Sequence, residues 1–464
     1  MLITSKRGAQ DNIVAYEHIC DTTEDLQNIN PQYITLGSTC IVVQGENGGV
    51  DAYIATSDKQ WVPLGSGSDD GSSEEDTKKY ENSNVRFIDY DGKVVDGYSA
   101  EEFLQLNKMP KNPNHKNDKI PLTAQGWNWS FEDAQAYVRK YGKLNVGQMY
   151  IPSDGKTHMI LDVGPRLTIP LMIQQTVSEG VTINWGDGSA EETIEGIGTV
   201  TASHTYEVEG EYDITLDVAN GCTLDFGDGA NNNVFGETSL HTYIPMLKKL
   251  FIGNGVVSIG ILSFFLCCDL TTLLLPNSVR NIGQQAFTYC ISLISLIIPN
   301  SLESVATQAF YNCTAMNNLT ISSNILSIGS YAFGSCFALT NLTISNNMTN
   351  IETYSFGGCY SLTDIIIPNG VTTIKQQTFM NCYALANLTI SNSVESIGQQ
   401  SFINCYALYV LTVLAETPPT LANVNVFNNM PADCTIYVPY GTGDTYKAAS
   451  GWSKWASQIQ ELPE

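Results

Sequence analysis

The run Leu270-Thr271-Thr272-Leu273-Leu274-Leu275-Pro276-Asn277-Ser278-Val279, continued by Ile282-Gly283, Ala286-Phe287 and Cys290, is one unit of a repeat. Its phenylalanine recurs every 23 residues, at Phe264, Phe287, Phe310, Phe333, Phe356, Phe379 and Phe402. A cysteine follows each by three residues, at Cys267, Cys290, Cys313, Cys336, Cys359, Cys382 and Cys405. A fixed period of this length is the signature of a solenoid, whose units bury their apolar faces only against their neighbours. Such a fold makes a long, stiff surface and does not by itself make an active site.

Within the unit, Leu270, Leu273 and Leu275 form an L-x-x-L-x-L word. That spacing suits a short strand whose alternate residues enter one core. The frame is kept by Leu293, Leu296 and Ile298, by Met316, Leu319 and Ile321, and onward to Leu408, Leu411 and Val413. Leu247, Leu250 and Ile252 form an incomplete first copy. Pro276, Pro299 and Pro368 fit the strand exits, because proline gives no ladder hydrogen bond. A second apolar column, from Ile259 and Ile282 to Ile397, starts the return side. Some eight coils at a strand spacing of about 4.8 Å predict a rod of roughly 40 Å. The cysteines read as a ladder of small buried thiols. Disulfides between adjacent coils are allowed on distance alone, while zinc is disfavoured by a 23-residue spacing with no adjacent histidine.

The I-P-N exit, the I-G turn, the A-F pair and the closing cysteine resemble the BspA-like (Treponema-type) leucine-rich repeats. The resemblance covers about 245–415 and implies a repeat solenoid with a binding role. The chain departs from ordinary leucine-rich repeats, whose Asn/Cys ladder position is here Ser278, Ser301, Asn324, Asn347, Gly370 and Ser393.

The whole chain reads as multidomain and mainly β. Residues 1–64 form a small N-terminal β module, with strands at Asp51-Ala52-Tyr53-Ile54-Ala55 and Gln60-Trp61-Val62-Pro63-Leu64. This module resembles the anchoring modules of phage virion proteins, especially head or tail fibres. Residues 65–82 are rich in serine, glycine and acids and read as a flexible linker. Residues 83–165 read as an α+β module, with Ser99 capping a short helix and a second helix starting near Ser130. Phe131, Ala134, Tyr137 and Val138 mark that helix's inner face. Residues 166–220 carry Trp185-Gly186-Asp187-Gly188-Ser189 and His204-Thr205-Tyr206, and resemble a PKD-like β-sandwich. A fainter echo, Phe226-Gly227-Asp228-Gly229 with His241-Thr242-Tyr243, falls in a transition or N-cap at 221–246. The leucine-rich repeats span 247–413. A C-terminal cap at 414–464 closes them, and Phe427 arrives two residues late for the period.

Chemistry is sparse. None of the five histidines lies in H-E-x-x-H, and there is no G-x-S-x-G elbow or phosphate loop. Asp187 is explained by its turn without a cation. The reading therefore names no catalytic, cofactor-binding or metal residues, no cofactor, and no enzyme activity. The 47 acidic and 22 basic residues give a net charge of −25, which disfavours nucleic acid and anionic lipid. No apolar run approaches the ~20 residues of a membrane span, and the N-terminus lacks the apolar stretch of a signal peptide.

The surfaces say more. Residues between the core leucines must face outward. One column is Thr272, Ser295, Asn318, Asn341, Asp364 and Asn387; its neighbour is Leu274, Ile297, Thr320, Thr343, Ile366 and Thr389. Asn318, Asn341, Asp364, Asn387, Thr320, Thr343 and Thr389 are the candidate ligand-binding face, and a solvated sheet is the alternative. Phe337, Tyr360, Tyr383 and Tyr406 follow the cysteines as a candidate aromatic stripe. Together with the resemblances, these columns predict a non-enzymatic protein on a phage virion surface. The N-terminal module would hold capsid or tail proteins, and the solenoid would bind a host-surface glycan or protein. The alternatives are a bacterial cell-surface adhesin or a non-catalytic accessory module, and self-association through the N-terminal module stays open.

Overall fold

The computed structural model describes residues 80, 83–164, 167–227, 233–235, 246–423 and 425–464, together with the backbone of five strands between residues 3 and 63. Those five are β1 (Ile3–Lys6), β2 (Tyr16–Thr22), β3 (Thr39–Gln44), β4 (Asp51–Ala55) and β5 (Trp61–Pro63), in one sheet of that order. The last two match the strands expected there. The side chains of 1–64, the linker 65–82 apart from residue 80, and the His241-Thr242-Tyr243 word lie outside the described residues.

The repeats wind into nine coils. Their face strands are Leu247–Phe251, Thr272–Leu274, Ser295–Ile297, Asn318–Thr320, Asn341–Leu342, Asp364–Ile367, Asn387–Ile390, Val410–Val413 and Thr435–Val438, for coils 1 to 9. All pair in parallel and in register, so Asn318 faces Asn341, Asp364 faces Asn387, and Asn387 faces Val410. The core leucines and the return column are buried as the L-x-x-L-x-L spacing demands, from Leu270 and Ile259 to Leu408 and Ile397. Each phenylalanine of the ladder is fully buried. Phe287 and Phe310 stack 5.2 Å apart at 4°, and the same geometry carries through to Phe402.

Two backbone positions in each coil make this tight turn around the ring possible. Gln285 and Tyr289, two residues either side of Phe287, have φ of 58° and 64°, and their equivalents repeat this down the solenoid. Left-handed backbone costs an ordinary residue about 1–2 kcal/mol. The coils repay it through hydrogen bonds such as Phe287 N–H to the Ala309 carbonyl at 2.8 Å and Tyr289 N–H to that of Tyr311 at 2.9 Å. The thiols take part as well. Cys313 Sγ donates to the Phe287 carbonyl of the coil before at 3.4 Å, and the pattern holds from Cys290 to Cys405. The ladder cysteines are free and buried, and burial pushes Cys336 and Cys405 up to about 12.

At the C-terminal end the structure differs from the sequence reading in one respect. Phe427 rejoins the ladder despite its late arrival, stacked on Phe402 at 5.4 Å. It packs against Trp452 and Trp455 of a short 3-10 helix (Trp452–Gln458), which seals the last coil. At the other end Phe226 packs edge-on against Phe264 at 5.2 Å, so the faint echo supplies the first ring of the ladder.

The segment before the repeats is not a separate bead. Its strands are β6 (Val85–Ile88), β7 (Val94–Tyr98), β8 (Leu122–Trp127), β9 (Leu144–Pro152), β10 (Thr157–Val163), β11 (Leu167–Gln175), β12 (Val181–Asn184), β13 (Glu192–Thr193), β14 (Gly198–Tyr206), β15 (Gly210–Val218) and β16 (Leu224–Phe226). β10 pairs antiparallel with both β15 and the coil 1 face strand, while β16 pairs in parallel with the coil 1 return strand Val256–Ile259. The two sheets around Trp185 and Tyr206 therefore run directly into the two strand rows of the solenoid. Placing 157–163 in the α+β module is thus corrected, because its alternation serves the sheet of β15. In the glycine turn, Gly186 and Gly188 have φ of 80° and 85°. Asp187 there accepts from Ser189 N–H at 3.0 Å and meets His204 Nε2 at 2.7 Å. These contacts, Ser189 first, hold Asp187 down to about 2. His204 also stacks on Trp185 at 5.2 Å, so its role is structural.

Candidate site at the junction of the α+β module and the solenoid face

The sheet β7-β6-β9-β8 carries two helices, α1 (Ala100–Gln105) and α2 (Phe131–Tyr141). Ser99 and Glu102 form a full capping box on α1, and Ser130 caps α2 while Ala134, Tyr137 and Val138 face the core, as expected. The sequence reading missed where this module sits. β9 crosses the face strands of coils 2, 3 and 4.

Contacts across this junction are close and polar. Asn128 is fully buried, and its Nδ2 donates to the Ile298 carbonyl and to both oxygens of Thr320, each at 3.3 Å. Its Oδ1 accepts from Gly147 N–H at 2.8 Å. Trp129 Nε1 donates to the Ile321 carbonyl at 2.9 Å, and Asn318 Nδ2 donates to the Gly92 carbonyl at 3.2 Å. Gln125 accepts from Asn277 N–H, and Tyr141 O–H donates to Asn346. Gly147 is needed for this approach, since a Cβ there would lie 2.3 Å from Thr320 Oγ1.

The expected binding face is therefore corrected in part. Thr320 and Thr343 are buried, at 1% and 7% exposure, and Asn318 is half-buried beneath the module. A row pointing away from the solenoid core need not point to solvent when a second layer lies on it. Asn341 and Asp364 are half-buried at the module's rim, Thr389 is half-buried beyond it, and Asn387 is exposed. The aromatic stripe is corrected as well. Phe337, Tyr360 and Tyr383 stack at 4.4 and 4.8 Å and are buried along the coil edge. Tyr406 ends that stack, 5.4 Å from Tyr383, and is 51% exposed.

At the rim lies a cleft of about 180 Å³. The module contributes Arg86, Lys143 and Asn145 to its lining, and the solenoid contributes Asn341, Thr343 and Asp364. Lys143 Nζ lies 3.3 Å from Asp364 Oδ1, and Asn387 Nδ2 donates to the same carboxylate at 2.9 Å. Burial works against the Asp364 carboxylate, but Lys143, Thr363 and Asn387 outweigh it and hold its pKa below the ordinary value. Asn145 N–H donates to Thr343 Oγ1 at 3.4 Å. Donors and acceptors thus converge on a space with a partly apolar floor, Leu342 and Ile366. This suits binding and offers no nucleophile paired with a base.

A larger cavity, about 370 Å³, opens between the module and coil 1. On its charged rim Lys119 pairs with Glu211 at 2.9 Å and Asp118 with His115 at 2.8 Å, and Lys249 lines it as well. The junction cleft instead opens onto uncovered strands. Of the cleft's lining, sequence reasoning named Asn341, Thr343 and Asp364 as candidates and did not name Arg86, Lys143 and Asn145. The usable signal was the scarcity of basic residues in so acidic a chain. It also missed Tyr409, 51% exposed, where earlier coils place Thr363 and Ala386.

Among the described residues no group of three or more His, Cys, Asp or Glu side chains could hold a metal, and no helix is long and apolar enough to cross a membrane. No curated protein is similar to the chain. Solved structures similar to it include a leucine rich repeat protein of T. pallidum, at 24% identity and TM-score 0.31, covering 40% of this chain and 82% of that one. A leucine-rich repeat protein of Bacteroides ovatus is 18% identical, with TM-score 0.33 over 47% of this chain and 66% of its own. The pneumococcal vaccine antigen PcpA is 16% identical, with TM-score 0.33 over 45% of this chain and 66% of its own. The description "BspA type Leucine rich repeat region" matches in six copies, at 237–359, 281–409 and 326–431. Over 237–431, less than half of its length, the chain therefore matches the BspA type leucine rich repeat region.

Proposed function

We propose that this chain is a surface recognition protein whose ligand binds the junction cleft and the strand face beyond it. The observation that carries the reading is the division of the solenoid face. A docked module covers coils 2 to 4, and a polar cleft opens where the cover ends. A sheet that served only as a spacer would need no such composite edge. Parallel pairing holds the strand backbones there in register, which sets the spacing of the side chains that a ligand would meet.

BspA type repeat proteins are typically surface-associated, and this favours an adhesin on a bacterial surface. The virion reading, to which the resemblance of residues 1–64 points, takes second place. Either setting gains from many copies binding at once. Labelled full-length protein applied to intact bacteria tests the reading, with Thr389→Arg as the comparison. The wild type should bind and the variant should lose at least tenfold, because an arginine in the middle of the open face blocks approach. Equal binding by both, or binding by neither, refutes it.

A further inference from the structure

Past the cleft, the uncovered face presents Asn387 and Thr389 on coil 7, Thr412 on coil 8 and Tyr437 on coil 9, all on the outer side of their strands. Tyr409 and Tyr406 stand at the strand entry of coil 8, each half exposed. Resting on the recognition reading above, we infer that this strip holds a neutral oligosaccharide, with one end in the junction cleft and the other on Tyr409 and Tyr406.

Four features select that class of ligand. The cleft combines amide, hydroxyl, ammonium, guanidinium and carboxylate groups, which can serve hydroxyls as donors and as acceptors. Its one lining carboxylate, Asp364, is paired with Lys143, and Arg86 Nε donates to the Ser83 carbonyl at 3.3 Å, so the charged groups of the lining already have partners within the chain. The net charge of −25 repels polyanions and so disfavours acidic polysaccharides. Asn387, Thr389 and Thr412 are short polar side chains that offer a peptide no apolar anchor of their own.

The tyrosines add a platform. Tyr406 ends a row of three stacked rings, tilted by 33° on Tyr383 at 5.4 Å, so one side of it rests on that row. An aromatic face of this kind stacks on the C–H face of a sugar while leaving the phenol wet. From the strand of Asn341 to that of Val410 there are three strand spacings, about 14 Å in all. A sugar in an extended chain advances by about one such spacing, so the strip reads as several subsites, one per coil.

The test is an array of neutral and acidic oligosaccharides of one to six units, probed with the full-length chain and with Tyr409→Ala and Thr389→Arg. At least one neutral oligosaccharide of four or more units should bind, and its monosaccharide much more weakly. Tyr409→Ala should weaken binding about tenfold, or 1.4 kcal/mol, and Thr389→Arg should abolish it. Binding to acidic glycans alone, neutral binding that neither variant alters, or no neutral binding would overturn the inference. A parallel assay on intact cells separates the two claims. Suppose the wild type binds, Thr389→Arg does not, and protease but not periodate treatment of the cells removes binding. The ligand is then a protein, and the recognition reading stands without the glycan. If Thr389→Arg binds cells as the wild type does, both fall.

Discussion

Replacing Gly147 by alanine adds one methyl group at the tightest point between the module and the solenoid. Built on the present backbone, that Cβ lies 2.3 Å from Thr320 Oγ1, and 2.7 and 2.9 Å from Ile297 Cγ2 and Cγ1. Thr320 and Ile297 are 1% and 7% exposed and sit on adjacent coils, so neither side chain has room to yield. The backbone of Gly147 is not left-handed, so the effect is steric rather than conformational. Overpacking of this sort costs about 1–3 kcal/mol. The upper half of that range is expected, because displacing Thr320 also disturbs its 3.3 Å hydrogen bond from Asn128. The assay is native-state hydrogen exchange at the Gly147 and Ser323 amides, which donate to Asn128. A loss of about 2–3 kcal/mol speeds their exchange roughly 30- to 150-fold. Gly164→Ala, with nothing within 4 Å of its Cβ, should be silent. Thr320→Ala in the same chain should relieve part of the damage, giving a coupling of opposite sign to the single effects. Unchanged exchange in Gly147→Ala, or full additivity in the double variant, would refute close docking.

Three further outcomes follow from the same geometry. His158 is bracketed by Asp213 at 3.0 Å and Asp154 at 3.1 Å; burial opposes its charge, but the carboxylates outweigh burial and raise its pKa. Its contribution is fully present below the unfolded value of about 6.5 and is lost as pH rises through the raised folded value. The urea midpoint should therefore fall between pH 6 and pH 8.5, and His158→Asn should flatten that fall; an unaltered slope contradicts the bracket. Phe427→Ala removes the last ladder ring, 1% exposed against Phe402, Trp452 and Trp455, and should cost about 3–5 kcal/mol with a red shift in tryptophan emission. Gln285→Gly relieves a left-handed residue at φ 58° and should stabilise by up to about 1 kcal/mol once glycine's own entropy is subtracted, whereas Gln285→Val should destabilise in thermal melts.

The solenoid was legible because its signal is redundant: seven phenylalanines in one register leave a single way to bury the leucines. Even there the reading went astray at Phe427, since a two-residue insertion shifts the sequence position but leaves the ring able to stack. The docked module was not legible. Its interface consists of single polar or small residues, Asn128, Gly147 and Gln125, which follow no period and meet partners about 150–190 positions away. The buried fate of Thr320 and Thr343 was hidden for the same reason, because alternation tells which side of a strand a residue takes and not what lies on that side. Tyr383 and Tyr406 share a column and a residue type. Only the end of the stack separates the buried ring from the exposed one.

The division of the solenoid face into a sealed and an open part is tested most directly by thiol labelling at two positions of that face. Thr320→Cys and Asn387→Cys place a thiol beneath the module and beyond it, and the full-length protein is treated with iodoacetamide and read site by site by mass spectrometry. The described ladder thiols are buried, so they should stay unmodified in the native state. The account predicts rapid modification at 387 and protection at 320 until the protein unfolds. Equal rates at the two positions would contradict it.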